Sequence, residues 1–336
     1  MIIESDFKPA WWLKNCHLQT ILPRVYRKNH TLNVTTETLT LPDGDFVDLA
    51  WTRKPEQGET TPIVAVFHGL EGSINSFYAR GMMDAIRAQG WIGVLMHFRG
   101  CSGKLNKHAR AYHSGETEDA RFFLNHIQSH YPTAPLSAIG FSLGGNVLTK
   151  YLGEESHLSQ LASAVVISAP LHLAGCAERI SRRFSRIYQK YLLDMLKNTT
   201  IKKMEAFKSA FPLKLSADQI ARFKTLMQFD DAITAPLHGF KSAADYYAKA
   251  SGLQFLKSIK TPSLFIHAKD DPFMSHSVIP SSADLSPTIQ YELSEAGGHV
   301  GFLSGKNPMN PTFWLEKRAP LYIAEQLKKF RTGGQS

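Results

Sequence analysis

Cysteine is scarce in this 336-residue chain: Cys16, Cys101 and Cys176 are the only three, and they lie far apart outside any C-x-x-C spacing. That excludes a disulfide framework and a thiolate zinc site, and it fits a reducing compartment. Long apolar runs are also missing, none approaching the ~18 residues a membrane-spanning helix needs. The opening MIIESDFKPAWWLKNCHLQT carries Glu4 and Asp6 and lacks the apolar core of a signal peptide. A cytoplasmic protein without a transmembrane segment is expected, with transient contact to a membrane surface left open. No repeat, low-complexity tract or Gly/Ser/Pro-rich linker divides the chain, so one domain carrying an insertion is expected over 1–336. Acidic residues are the minority, 29 against 38 basic, for a net charge of +9. The excess is spread along the chain, which argues against nucleic acid as a partner. Its densest run, Arg179 to Lys208, interleaves Phe184, Ile187, Tyr191 and Leu192 and reads as one or two amphipathic helices with a solvated basic face.

A hydrophobic content of 43% is enough for a substantial core. TLNVTTETLTL, the turn signal PDGD and FVDLAWTR predict an early antiparallel hairpin. After it the pattern alternates. IVAVFH, IGVLMHF, LSAIGF and SAVVISAP read as buried strands, separated by FYARGMMDAIRAQG, by SGETEDARFFLNHIQSHY with Ser114 as its cap, and by the segment after Ser142 as helices. Short apolar runs between amphipathic helices predict an α/β fold with a mostly parallel central sheet and helices on both faces. From 171 to 260 the alternation gives way to a helix-rich insertion, expected as a cap over the strand ends. SLFIHAKDD and IQYELSE then resume the strands, and LYIAEQLKKF closes the chain as a helix. Residues 1–33 are expected to pack on the domain as an N-terminal arm.

The chemistry centres on Gly140-Phe141-Ser142-Leu143-Gly144, a G-x-S-x-G run with a strand before it and a helix after. Glycines at a sharp strand-to-helix turn let the backbone pass without a Cβ clash, while the serine hydroxyl is held exposed above the helix N-terminus. A serine needs a base to take its proton. Of the 14 histidines, His299 in the glycine-rich loop EAGGHVGF follows the last predicted strand and satisfies the chain order serine, acid, histidine. His68 in FHG is better suited to holding a loop, and His113, His126 and His130 read as surface or capping residues. The acid should follow a strand and precede His299; HAKDDPF offers Asp270 and Asp271, and SAPLHLAGCA offers none. Two backbone N–H groups are needed for an oxyanion, and Leu143, after the serine, and Leu70, in FHGLEGS, are the candidates. Aromatic Phe184, Tyr188 and Phe240 of the insertion are candidates either for an acyl pocket or for core.

Taken together, WWLKNCHLQTILPR, FHGLEGS, MHFRGCSG, YHSGETED, GFSLGGN, FDDAIT, HAKDDPFM and GGHVGF run in order along nearly the whole chain. With them the chain resembles an α/β-hydrolase throughout, and more narrowly the YheT-like group, AB hydrolase family 4. The resemblance implies hydrolysis of short- to medium-chain carboxylic esters by a triad of Ser142, Asp271 and His299. It prefers Asp271 over Asp270 because Asp-Pro-apolar is the acid-loop pattern of that superfamily. A small or lipid-like ester is the implied partner, with neither metal nor organic cofactor. An acyltransferase would use the same triad with an alcohol in place of water, and a non-catalytic binding module would not need it. Arg99 in HFRGCSG is expected at the pocket rim or bonded to backbone carbonyls. Asn15, His17 and Gln19 suggest no chemistry and are expected to pack the arm.

Overall fold

The computed structural model describes residues 1–333. Its centre is a nine-stranded sheet in the order β1-β9-β8-β7-β6-β4-β5-β3-β2. The strands are β1 (Ile2–Glu4), β2 (Thr35–Thr40), β3 (Phe46–Trp51), β4 (Ile63–Phe67), β5 (Ile92–Met96), β6 (Leu136–Phe141), β7 (Ser163–Ile167), β8 (Ser263–Ala268) and β9 (Ile289–Ser294). The expected hairpin is β2–β3, and β3 also runs antiparallel to β5; every other pairing in the sheet is parallel. A short ribbon, β10 (Leu303–Ser304) with β11 (Thr312–Phe313), lies apart.

Strand alternation sorts the core into two layers. In β4, Ile63, Ala65 and Phe67 face the cluster built on Phe123 and Leu124 of α3 (Glu118–His130) and Val147 and Leu148 of α4 (Leu143–Glu155). Val64 and Val66 face the opposite cluster, with Met82 and Met83 of α2 (Phe77–Ala88) and Tyr322 and Ile323 of α11 (Leu315–Gly333). Both faces of the sheet are thereby dry, which is why the central strands read as unbroken apolar runs.

Three local readings change. Helix α3 starts later than expected: Thr117 occupies the N-cap position, and the Glu118 N–H donates to the Glu116 carboxylate at 3.2 Å. Ser114 is instead buried in the turn before it, donating its N–H to the Tyr246 hydroxyl at 2.9 Å and accepting from Asn146. Residues 1–33 also hold more structure than an arm implies. Strand β1 extends the sheet edge beside β9, and α1 (Cys16–Tyr26) packs near α2.

Residues 171–260 fold as helices: α5 (Leu173–Ile180), α6 (Arg186–Phe207), α7 (Ala217–Ala221), α8 (Leu226–Phe229), α9 (Ala235–Leu237) and α10 (Ala243–Ala250). They carry small cores of their own, one around Leu193, Ile220, Phe229 and Ile233, another around Leu173, Tyr246 and Tyr247. The basic run is not solvated throughout. Lys203 is buried, its ammonium donates to the Arg110 carbonyl at 2.6 Å, and burial pulls its pKa down to about 8.

Candidate active site

Ser142 sits between β6 and α4 with φ 49° and ψ −118°, a conformation strained for any residue with a Cβ. The flanking glycines make the turn possible. A Cβ on Gly140 would stand 2.6 Å from the Gly144 carbonyl oxygen, and one on Gly144 would stand 2.4 Å from the His68 carbonyl oxygen. Either contact would push α4 away from the strand ends, so the close helix–sheet approach demands glycine at both places. The Ser142 N–H donates to the Ile167 carbonyl at 2.8 Å, which ties the turn to β7.

The loops after β8 and β9 bring the other two residues to it. Ser142 Oγ lies 3.0 Å from His299 Nε2, and His299 Nδ1 lies 2.8 Å from Asp271 Oδ2. An acceptor carboxylate at Nδ1 fixes the proton there and leaves Nε2 free to take the serine proton. Asp271 is 2% exposed and His299 9%. The second Asp271 oxygen accepts the Phe273 N–H at 2.8 Å, and the Phe273 ring stacks on the imidazole at 4.0 Å, so the pair is gripped from two sides. Asp270 points elsewhere: it accepts the Gly298 N–H at 2.9 Å. Burial and the neighbouring Asp271 carboxylate raise its pKa to about 6.

Leu70, Gly69 and Leu143 line the same cavity as Ser142. A Cβ on Gly69 would come within 3.3 Å of the Ser142 Cβ, a measure of how near that backbone runs to the hydroxyl. His68 holds the loop: its Nδ1 donates to the Gly69 carbonyl at 2.7 Å while Nε2 accepts the Phe98 N–H at 3.1 Å. Burial depresses its pKa to about 3, so it stays neutral in this bridging role.

The N-terminal motif, opaque in sequence, supports the histidine loop. Asn15 caps α1 by accepting the N–H groups of His17 and Leu18 at 2.9 and 3.2 Å. One turn on, Thr20 accepts the His299 N–H at 2.9 Å. Gln19, fully buried, donates to the Leu13 and Leu303 carbonyls and accepts the Leu303 N–H at 2.7 Å. His17 reaches the insertion instead, 3.1 Å from the Tyr188 hydroxyl. Only the density of polar residues in an otherwise apolar helix hinted at this in the sequence.

Arg99 corrects a further expectation. It binds carboxylates rather than carbonyls, with both Asp119 oxygens at 2.7 Å, Asp43 at 2.6 Å and Asp45 at 3.1 Å, and it does not line the cavity. His113 is no surface residue either: it packs against His238, Phe240 and Tyr246, and burial lowers its pKa to about 3. His113, Glu116 and His238 place possible ligand atoms within 4.8 Å of one another. Arg110 already binds Glu116 at 2.6 Å and, with its charge beside both imidazoles, opposes a cation there. His126 and His130 lie on α3, half-buried and exposed. Of the aromatic candidates, Tyr188 lines the cavity, Phe184 is half-exposed against His17, and Phe240 packs on His113.

The cavity above Ser142 has a volume of about 800 Å³. Its lining is largely apolar, and Ile180, Leu192, Met195 and Leu196 of the insertion contribute to it. A nucleophile, a base and an acid in one hydrogen-bonded line, opening on an apolar chamber, can form and resolve an acyl ester.

Residues 62–306 match the family described as alpha/beta hydrolase fold. The chain is 46% identical over 325 residues to YheT of Escherichia coli strain K12, covering 97% of this chain and 95% of that one. It is 28% identical over 318 residues to the phospholipase ABHD3 of Mus musculus, covering 93% and 77%. Among solved structures, the Pyrococcus furiosus esterase Pf2001 superposes with a TM-score of 0.54 at 16% identity, covering 89% of this chain and 94% of that one. With its elbow, its sheet order and these relatives, the chain belongs to the alpha/beta hydrolase fold family, in the group that contains YheT.

Proposed function

We propose that this protein is a serine esterase that cleaves carboxylic esters with an apolar acyl chain. The observation that carries the reading is the Ser142–His299–Asp271 line opening into the apolar chamber of about 800 Å³. Ser142 Oγ attacks the ester carbonyl as His299 Nε2 takes its proton, and the backbone N–H groups of Leu143 and Leu70 receive the developing oxyanion. His299 returns that proton to the departing alcohol. Water, deprotonated by the same imidazole, then releases the acid and restores the serine. Asp271 orients the ring and stabilises its charged form throughout. The name phospholipase, borne by the mouse relative, supports a lipid-like ester.

The test is a series of p-nitrophenyl esters from acetate to myristate, with a fluorophosphonate label on the protein. Each methylene buried in the chamber is worth ~0.8 kcal/mol, so kcat/KM should climb about fourfold per carbon until the chamber is filled. The optimum is expected at medium chain length. Failure of wild type to turn over any ester, or equal labelling of wild type and Ser142→Ala, would overturn the reading.

A further inference from the structure

Exposed apolar side chains are ordinary when scattered and informative when they line up. Two helices beside the cavity mouth line them up. On α1, Leu18, Ile21 and Val25 are 45%, 42% and 61% exposed, at the i, i+3, i+7 spacing of one helix face. Phe184, in the short 3-10 turn that leads into α6, and Ile187 and Tyr191 in its first turns repeat the spacing, 48%, 58% and 47% exposed. The stripes adjoin. The His17 ring lies 4.3 Å from that of Phe184, and the Arg24 guanidinium donates to the Tyr191 hydroxyl at 2.8 Å. Ile21, Arg24, Lys28, Ile187 and Tyr191 line the cavity and are themselves exposed, so the cavity reaches the surface beside the stripes.

Basic residues outnumber acidic ones along both helices, and Asp194 and Glu178 at the margins are paired with Lys190 and Arg182. No acidic residue occurs between Asp6 and Glu37, a stretch that holds Lys14, Arg24 and Lys28. None occurs between Glu178 and Asp194, a stretch with five basic residues. Lys14, Lys28, Arg183 and Arg186 are exposed and have no acidic partner among the described residues. Arginine and lysine flanking an exposed apolar helix face is the pattern of a helix that lies in the headgroup layer of a bilayer. Each such cation near an anionic leaflet favours binding, and the more so at low salt.

We propose that the paired face of α1 and α6 docks the protein on anionic phospholipid bilayers, with the cavity mouth turned to the lipid. Leu18, Ile21, Val25, Phe184 and Ile187 enter the headgroup boundary, and the surrounding cations meet lipid phosphates. An ester lying in the bilayer then reaches Ser142 without crossing water. That last step rests on the esterase reading; the docking itself does not.

Sedimentation with vesicles of phosphatidylcholine alone, or mixed equally with phosphatidylglycerol, tests the docking. The Ser142→Ala protein is used, so that loss of hydrolysis leaves the binding measurement intact. Binding to the anionic vesicles is expected to exceed binding to neutral ones by at least tenfold at low salt, and to fall as salt rises. Arg183→Glu/Arg186→Glu and Leu18→Asp/Val25→Asp should each weaken it tenfold or more, with thermal midpoints near that of the parent. In the Ser142-containing protein, these pairs should leave hydrolysis of soluble butyrate esters unchanged. Phe184→Trp, a variant that keeps the aromatic ring, should show a blue shift and quenching by brominated lipid beyond that of the parent, whose five native tryptophans set the baseline. Failure to sediment with anionic vesicles, equal binding of parent and folded variants, or quenching no greater than the parent's would overturn the proposal. So would a dimer in solution that the same variants dissociate, because a second copy would then cover the face.

Discussion

The strand ends that carry Ser142, Asp271 and His299 and the helical layer of residues 171–260 above them solve opposite problems. Below, polar atoms are buried and engaged. Asp271 uses both oxygens, and Gln19 makes three hydrogen bonds with no exposure. Above, helices are held by small separate cores, and Phe184, Ile187 and Tyr191 remain half exposed. A reacting line of three side chains tolerates little displacement, since an error of ~1 Å can cost ~100-fold in rate. A chamber that only has to exclude water and accommodate an acyl chain tolerates far more. On the proposed reading, chemistry is anchored on the sheet and acyl selectivity belongs to the helical layer.

The sharpest way to probe the lower region is to remove its members. Ser142→Ala is expected to lower kcat/KM by ~10⁵-fold or more, and Asp271→Asn by ~10⁴-fold, with little change in thermal midpoint for the serine variant. A supporting residue gives the next largest effect. Gln19→Ala takes the side-chain partner from the Leu303 N–H and the Leu13 carbonyl and leaves the Leu303 carbonyl with the Ala10 N–H alone, which loosens the loop that carries His299. A fall of ~100-fold in kcat, equal across chain lengths, is expected, with KM nearly constant. If Gln19→Ala changed KM for long esters alone, the N-terminal helix would belong to the upper region rather than the lower one.

The two regions also differ in how far sequence could describe them. The elbow and the loops that carry the candidate acid and base were legible because a strand, a turn and a named side chain follow one another within a few residues. Asp271 and Asp270 could not be separated by that logic alone. Only the turn after β8 aims one carboxylate at His299 and the other at the Gly298 N–H. Arg99, Gln19 and Thr20 lay beyond reach, because their partners are tens to hundreds of residues away in the chain. In the insertion, periodicity identified helices without revealing which face each one buries. Lys203 therefore read as solvated although it is buried, and Phe184 stayed open between pocket and core although it is half exposed.

A smaller effect is expected from the upper region. Met195 lines the chamber from α6. Met195→Trp should shorten the chamber, lowering kcat/KM about tenfold for decanoate and longer esters while leaving acetate within about twofold. A uniform fall across the series would mean that the helical layer helps to position Ser142, His299 and Asp271, and the contrast between the regions would fail.

The smallest effect distinguishes the two neighbouring aspartates and depends on pH. Asp270 has an ordinary value of 3.8 that burial, and then Asp271, raise to about 6 in the folded protein. A raised carboxyl means that the folded chain binds this proton more tightly than the unfolded chain does. Its favourable contribution to stability is complete below about pH 4, where both states are protonated, and is lost as pH rises through about 6. Asp270→Asn keeps an oxygen to accept the Gly298 N–H and removes the charge. At pH 8 the variant should therefore melt higher than wild type, by roughly 2 °C once ~1 kcal/mol is allowed for a group still in contact with solvent. Below about pH 4 the gain should vanish. Activity should stay within tenfold of wild type, against ~10⁴-fold lost in Asp271→Asn. Equal loss in both variants would show that the loop after β8 works as one unit, and that the hydrogen bond to His299 is not what separates the two side chains.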